Sequence, residues 1–238
     1  MTKLIDCIEA VAFDLDGTLV DTAPDLGAAA NMMLVVLGGR PVPEENIPGM
    51  IGAGIDRFVT RVLIRSHGMA PSHALQESAA AMFRNLYRQR VFERSRVYAG
   101  VAETLRTLDE RCIKLCCVTN KESQFALPLL EAAGLSKHLW FTSCADSAED
   151  RKPSPNMLLA ACARMGIEPA QMLCVGDSRS DIAAARAAGC RVVAVDYGYH
   201  HDQPLADLHP DGIVSNMKQL LDLCVHPQNS MGAERAIA

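Results

Sequence analysis

The strongest constraint in this sequence is a rhythm. Short apolar runs that do not alternate with polar residues recur along most of the chain, and helix-like segments separate them. The runs fall at 8–13 (IEAVAF), 115–118 (LCCV), 139–142, 172–175 (MLCV) and 192–195 (VVAV), with a shorter one at 212–214. A strand with one wet face alternates; a run without alternation fits a strand buried on both faces, as in a parallel sheet covered by helices. The segments 123–133, 156–165 and 180–188 each stop at a glycine, Gly134, Gly166 and Gly189. Glycine supplies the left-handed residue that ends a helix. Strand, helix, strand in regular order predicts an α/β fold, a doubly wound parallel sheet with a Rossmann-like core.

One stretch breaks the rhythm. Residues 22–95 carry helical patterns at 22–37, 55–66 and 72–90 and no convincing strand. A βα connection is normally far shorter. The plain reading is an α-helical cap domain at 22–95, inserted into a core made of 1–21 and 96–225. The remaining 226–238 is polar and rich in small residues, and is expected to be a flexible tail.

Composition removes several classes. The longest apolar run, MMLVVL at 32–37, is far below the roughly 20 residues of a membrane span. Asp6 and Glu9 stand where a signal peptide needs an apolar stretch, so a cytoplasmic protein without a membrane partner is expected. The net charge of −5 gives no reason to expect a nucleic-acid partner. The nine cysteines include no Cys-x-x-Cys pair, and Cys116, Cys117, Cys174 and Cys190 sit in apolar segments. They read as small core residues of a reduced protein.

The chemistry gathers at the strand ends, where open α/β sheets bind ligands. Asp14-Leu15-Asp16-Gly17-Thr18 follows the first run. Alternation along a strand sends Asp14 and Asp16 to the same side. Two adjacent carboxylates repel unless a cation or a proton is shared between them. An EF-hand loop fails, because Leu19 stands where that loop needs glycine. Thr119-Asn120 ends the second run, and Gly176-Asp177-Ser178 ends the fourth, with Asp181 one turn later. Arg151-Lys152-Pro153-Ser154-Pro155 precedes a helix. Acidic groups with one hydroxyl and one lysine suit Mg²⁺ together with a phosphate. Each motif alone also fits an ordinary surface loop. Gly52-Ala53-Gly54 follows no strand and lacks the third glycine of a dinucleotide loop; it reads as backbone that a small substrate can approach. His200-His201 reads as an exposed loop pair rather than a metal site.

Taken in order, these motifs resemble the haloacid-dehalogenase superfamily, and the helical insertion resembles its cap. A narrower similarity is to bacterial phosphoglycolate phosphatases. It rests on Leu19-Val20-Asp21-Thr22-Ala23-Pro24-Asp25-Leu26, Ile51-Gly52-Ala53-Gly54, Val118-Thr119-Asn120-Lys121, Gly176-Asp177-Ser178-Arg179-Ser180-Asp181-Ile182 and Tyr197-Gly198-Tyr199. One departure is Cys144-Ala145-Asp146 in place of the usual Gly-Gly-Asp. The resemblance implies a Mg²⁺-dependent phosphomonoesterase acting on a small phosphorylated metabolite, 2-phosphoglycolate first. It implies Asp14 as nucleophile and Asp16 as acid and base. It gives Mg²⁺ to Asp14, the Asp16 carbonyl and Asp177, and the phosphate to Thr119, Asn120 and Lys152. Asp181 would orient Lys152 or a metal-bound water, and Gly52 and Gly54 would meet the substrate. A sugar-phosphate phosphatase, for example one acting on N-acetylmuramic acid 6-phosphate, is the rival, and a catalytically silent binding module a remote one. A Schiff-base phosphonate hydrolase needs a cap lysine, and 22–95 has none. That stretch has eight arginines against six acids, so a basic cap is expected to close over an acidic core.

Overall fold

The computed structural model describes residues 8–199 and 204–223. The expected 226–238 tail and His200-His201 lie outside these residues. Six strands form one parallel sheet: β1 (Ala10–Phe13), β4 (Lys114–Thr119), β5 (Phe141–Cys144), β6 (Met172–Gly176), β7 (Arg191–Val195) and β8 (Gly212–Val214). A two-residue antiparallel ribbon of β2 (Val20–Asp21) and β3 (Arg96–Val97) stands apart. The sheet order is β5-β4-β1-β6-β7-β8.

The burial explains the apolar runs. Val11, Phe13, Leu115, Cys117, Leu173 and Val175 point to one face. There they meet α4 (Val101–Glu110) and α5 (Ser123–Ala132) through Leu105, Leu108, Ala126 and Leu129. Ala10, Ala12, Cys116, Val118, Met172 and Cys174 point to the other face. They meet α6 (Asn156–Met165) and α7 (Arg179–Ala188) through Leu158, Cys162, Ile182 and Ala185. Alternate residues of one strand thus enter two cores, and neither can be polar. Cys116, Cys117, Cys162, Cys174 and Cys190 act as small core residues, whereas Cys112 is exposed. Burial pushes the Cys116 thiol up to about 12, which removes thiolate reactivity.

Three differences from the sequence reading have physical causes. The strand expected at 139–142 lies at Phe141–Cys144, because an edge strand is only half-buried and its apolar signal is weak. The helix α4 was not expected. It starts at Gly100 without a capping side chain, and Thr104 is one of its buried positions. The β2–β3 ribbon has one backbone pair per residue and no periodicity to read.

Between β2 and β3 run α1 (Ala23–Val36), α2 (Ile55–His67) and α3 (His73–Arg88). Their apolar faces form a third cluster of their own, with Met33, Leu34, Phe58, Val59 and Phe83 at its centre. It reaches the α/β layers through Phe125 and Tyr199. Among the described residues no helix is long and apolar enough to cross a membrane.

One buried carboxylate ties both ends of this helical segment together. Asp25, in the first turn of α1, accepts from Arg94 N at 2.8 Å, Ser95 N at 2.9 Å and Ser95 Oγ at 2.6 Å. Asp25 and Ser95 are both buried. Asp25→Ala leaves those donors without an acceptor, so equilibrium urea unfolding should show a loss of about 2–4 kcal/mol. A loss under about 0.5 kcal/mol would show that the clamp carries no stability.

Candidate active site

The sheet order reverses at β1. The chain builds outward through β4 and β5 on one side and β6, β7 and β8 on the other. The crevice beyond β1 is therefore the switch point where such sheets bind ligands. Phe13 is level with Cys117 of β4 and Val175 of β6. Asp14, one residue further on, and Thr119 and Asp177, two residues beyond their partners in that register, therefore stand at the same edge of three adjacent strands. All three line a single cavity, with Asp16, Asn120, Lys152 and Asp181. Gly52 and Gly54 line it from the helical segment. Every expected site residue is thus in one place.

Tight backbone makes this possible. Gly17 has φ +88°, and any side chain there would collide with the Asp177 carboxylate and the Tyr199 ring. Gly198 also lies against Asp177 and the Gly17 carbonyl, where no Cβ fits. The loops after β1, β6 and β7 meet only because two glycines let them.

The site has two electrostatic compartments. In the first, Lys152 Nζ donates to Asp14 Oδ1 at 2.6 Å, Asp181 Oδ1 at 2.5 Å and the Val118 carbonyl at 2.7 Å. Burial by itself disfavours that ammonium, but Asp14 and Asp181 hold it above its usual range. The other oxygen of Asp181 accepts from Ser178 N at 3.0 Å and Ser178 Oγ at 2.5 Å. Asp177 accepts from Thr18 Oγ1 at 3.2 Å and Tyr199 N at 2.5 Å. Burial pushes the Asp14 carboxyl up to about 7, with Lys152 pulling it down and Asp181 pushing it further up. Burial also raises Asp177, and the charges of Asp181 and Asp14 add to it.

In the second compartment, Asp16 accepts from Thr22 Oγ1 at 2.6 Å and from Lys121 Nζ at 2.9 and 3.2 Å. The two aspartates of the first motif are therefore held by different lysines. Lys121 was not among the expected site residues. The signals for it were its place just after a strand end and its membership of the Val118-Thr119-Asn120-Lys121 stretch; its partner Asp16 is 105 residues away.

Asn120 has its side chain fully engaged. Its Nδ2 donates to the Gly52 carbonyl at 3.0 Å and the Lys152 carbonyl at 3.1 Å, and its Oδ1 accepts from Lys152 N at 2.7 Å. The side-chain amide joins two loops and has no hydrogen left for a phosphate. Tyr199 is a second unexpected participant. Its Oη accepts from Thr22 N at 2.7 Å and Ala23 N at 2.9 Å and donates to Asp21 at 2.5 Å. It thereby caps α1, whose first N–H groups lack helical partners.

The expected basic cap is not found at the cavity, for no arginine among the described residues lines it. Arg84 is tied to Glu122 and Asp56, Arg94 to Glu44, and Arg90 to Glu93. The two positive charges at the cavity are the core lysines 121 and 152.

A haloacid dehalogenase-like hydrolase family model matches residues 8–189. The chain belongs to that family. It is 42% identical over 213 residues to a phosphoglycolate phosphatase of Thiobacillus denitrificans, covering 89% of this chain and 93% of that protein. It is 43% identical over 216 residues to one of Nitrosospira multiformis, covering 91% and 95%. A Haemophilus somnus crystal structure, described as a predicted phosphoglycolate phosphatase, superposes with a TM-score of 0.86 at 31% identity, covering 92% and 98%.

Carboxylate oxygens of Asp14, Asp177 and Asp181 lie within 4.8 Å of one another. Hard oxygen ligands crowded in a buried place suit Mg²⁺. The raised carboxyls give a test whose sign is fixed. An unfolded aspartate titrates near 4, while folded Asp14 is at about 7. Between about pH 4 and 7 the folded state keeps a proton that the unfolded state has lost, so stability falls as pH rises. In EDTA the thermal midpoint should drop across that window, and saturating Mg²⁺ should flatten the slope. Parallel slopes with and without Mg²⁺ would refute a cation site here.

Proposed function

We propose that the protein is a Mg²⁺-dependent phosphomonoesterase whose substrate is 2-phosphoglycolate, converted to glycolate and phosphate. The carrying observation is the convergence of Asp14, Asp16, Thr119, Lys152 and Asp177 on one cavity at the switch point of the sheet. Phosphoester hydrolysis by a carboxylate needs one acid to stay charged and attack and another to hand over a proton. The family relationship supports the reaction type. The names of the Thiobacillus and Nitrosospira relatives support the substrate.

Asp14 attacks phosphorus and forms an aspartyl-phosphate. Asp16 gives a proton to the departing ester oxygen, then takes one from the water that hydrolyses the intermediate. Lys152 faces the transferring group with an ammonium already fixed by Asp181, so its charge needs no reorganisation as the transition state forms. Thr119 Oγ1 accepts from Lys121 N at 3.2 Å, which leaves its hydroxyl proton for a phosphoryl oxygen. Asp14 and Asp177, with the Asp16 carbonyl, would hold Mg²⁺. When bound, the ion supplies positive charge that offsets these carboxylates and the phosphoryl oxygens. Asp181, held by Lys152 and Ser178, orients the lysine. Asn120 sets the Lys152 loop. Residues 22–95 serve as the cap, and Gly52 and Gly54 bring its backbone to the substrate.

Asp14→Asn should lower kcat by about 10⁴-fold or more while circular dichroism shows the protein still folded. Retained phosphate release by the purified variant would refute the assignment. Asp16→Asn should cost about 10²–10⁴-fold, the usual worth of a proton-transfer group. On a panel of small phosphate esters, 2-phosphoglycolate should have the highest kcat/KM; a hexose 6-phosphate in first place would overturn the substrate.

A further inference from the structure

The cavity beyond the first motif has a second half that phosphoryl transfer leaves unexplained. Leu26, Ile51, Ile55 and Phe58 form its wall on the helical side. The polar groups that reach this half are already engaged. Tyr199 Oη serves Thr22 N, Ala23 N and Asp21. Asn120 serves Gly52 and Lys152. A sugar leaving group would bring several hydroxyls to this wall and leave them without partners, which is costly in a closed site.

One group differs. Lys121 has a side chain only 4% exposed, yet it lines the cavity. Lys152 donates to three oxygens, one for each of its N–H groups. Lys121 Nζ donates to the two oxygens of Asp16, its charge lies 4.8 Å from the Tyr87 ring centroid, and the buried Tyr87 hydroxyl, which has no other hydrogen-bond partner among the described residues, is its remaining polar neighbour. Its charge is balanced by Asp16 alone, and apart from the Tyr87 hydroxyl the wall beside it is apolar. Its position is equally informative. Asp16 is the group assigned to the ester oxygen, so a lysine bonded to Asp16 stands near atoms a few bonds beyond that oxygen, where the carboxylate oxygens of 2-phosphoglycolate would lie three bonds away.

We infer that Lys121 is the receptor for a carboxylate on the leaving-group side of the substrate. It thereby selects phosphate esters of short hydroxy acids over phosphate esters of sugars. The inference rests on the phosphomonoesterase reading above, and it assigns the specificity of that site. The substrate carboxylate takes up the Lys121 donor, and the short carbon link between carboxylate and ester oxygen lies along the apolar wall. When Asp16 turns to the ester oxygen, the substrate carboxylate remains as the counter-charge that this buried ammonium needs.

The test compares 2-phosphoglycolate with 2-hydroxyethyl phosphate, which keeps the skeleton and lacks the carboxylate. The wild-type protein with Mg²⁺ should prefer phosphoglycolate by roughly 100-fold in kcat/KM, the size expected when one partner of a buried charge pair is removed. Lys121→Met should abolish most of that preference by lowering activity on phosphoglycolate far more than on hydroxyethyl phosphate. Lys121→Arg should restore part of it. An equal fall on both substrates would overturn the inference and reduce Lys121 to a support for Asp16. A wild-type protein that treats both esters alike would also overturn it, with the phosphomonoesterase reading intact. Failure on every ester would refute that reading itself. A measurement that needs no variant guards against a misfolded Lys121→Met: glycolate should compete with substrate in the wild-type protein, and ethylene glycol at the same concentration should not. Equal inhibition by the two would overturn the inference.

Discussion

The buried ammonium of Lys152 is the contact on which the rest of the site depends. It joins Asp14 beyond β1, Asp181 in α7 and the Val118 carbonyl of β4. Taking these ions from water costs several kcal/mol each, and attraction offsets that only when every donor meets an oxygen. Lys152 meets that condition with three partners from three elements. Such an arrangement adds little net stability compared with apolar residues of the same size. What it provides is fixed charge, placed before the substrate arrives. The order β4-β1-β6 is therefore an electrostatic requirement as well as a packing solution.

The helical segment is attached to the same loops. Asn120 reaches Gly52 across the cavity and holds the Lys152 backbone at the same time. Arg84 of α3 pairs with Glu122, the neighbour of Lys121, and Arg151, the neighbour of Lys152, lies 3.7 Å from Asp56 of α2. Each lysine at the cavity is thus followed or preceded by a residue that pairs with the helical segment. A shift of those helices acts directly on the loops that carry the two lysines. Asp25 and Tyr199 limit such a shift, because they fix both chain crossings near β2 and β3.

Much of this was legible in the sequence, for a definite reason. The runs at 115–118 and 172–175 carry an unambiguous signal because each strand is sandwiched between two apolar layers. The first motif is legible because adjacent carboxylates at a strand end have few uses. Legibility fails where the informative contact is distant. Nothing near Lys121 announces Asp16 as its partner, and nothing near Tyr199 announces the first turn of α1. The resemblance gives Asn120 to the phosphate; the structure engages its side-chain amide with Gly52 and Lys152, contacts that only tertiary geometry creates. The displacement of β5 has a similar origin, since an edge strand receives apolar neighbours from fewer directions than a central one.

The charge of the chain shows how such distant contacts mislead a sequence average. A net charge of −5 argues against an anionic ligand, and eight arginines against six acids in 22–95 argue for one. Neither count decides the matter. Several arginines of the helical segment are bound to acids at the surface, where solvent weakens their field. The two lysines at the cavity are nearly buried, at 4% and 5% side-chain exposure. A charge there acts through a low dielectric and outweighs many solvated ones. Four aspartates crowd the site, and two lysines pair with different members of them; in the proposed reading these lysines mark a phosphoryl half and a leaving-group half. On that reading the ligand is selected by a short-range pattern that no sum over the whole chain contains.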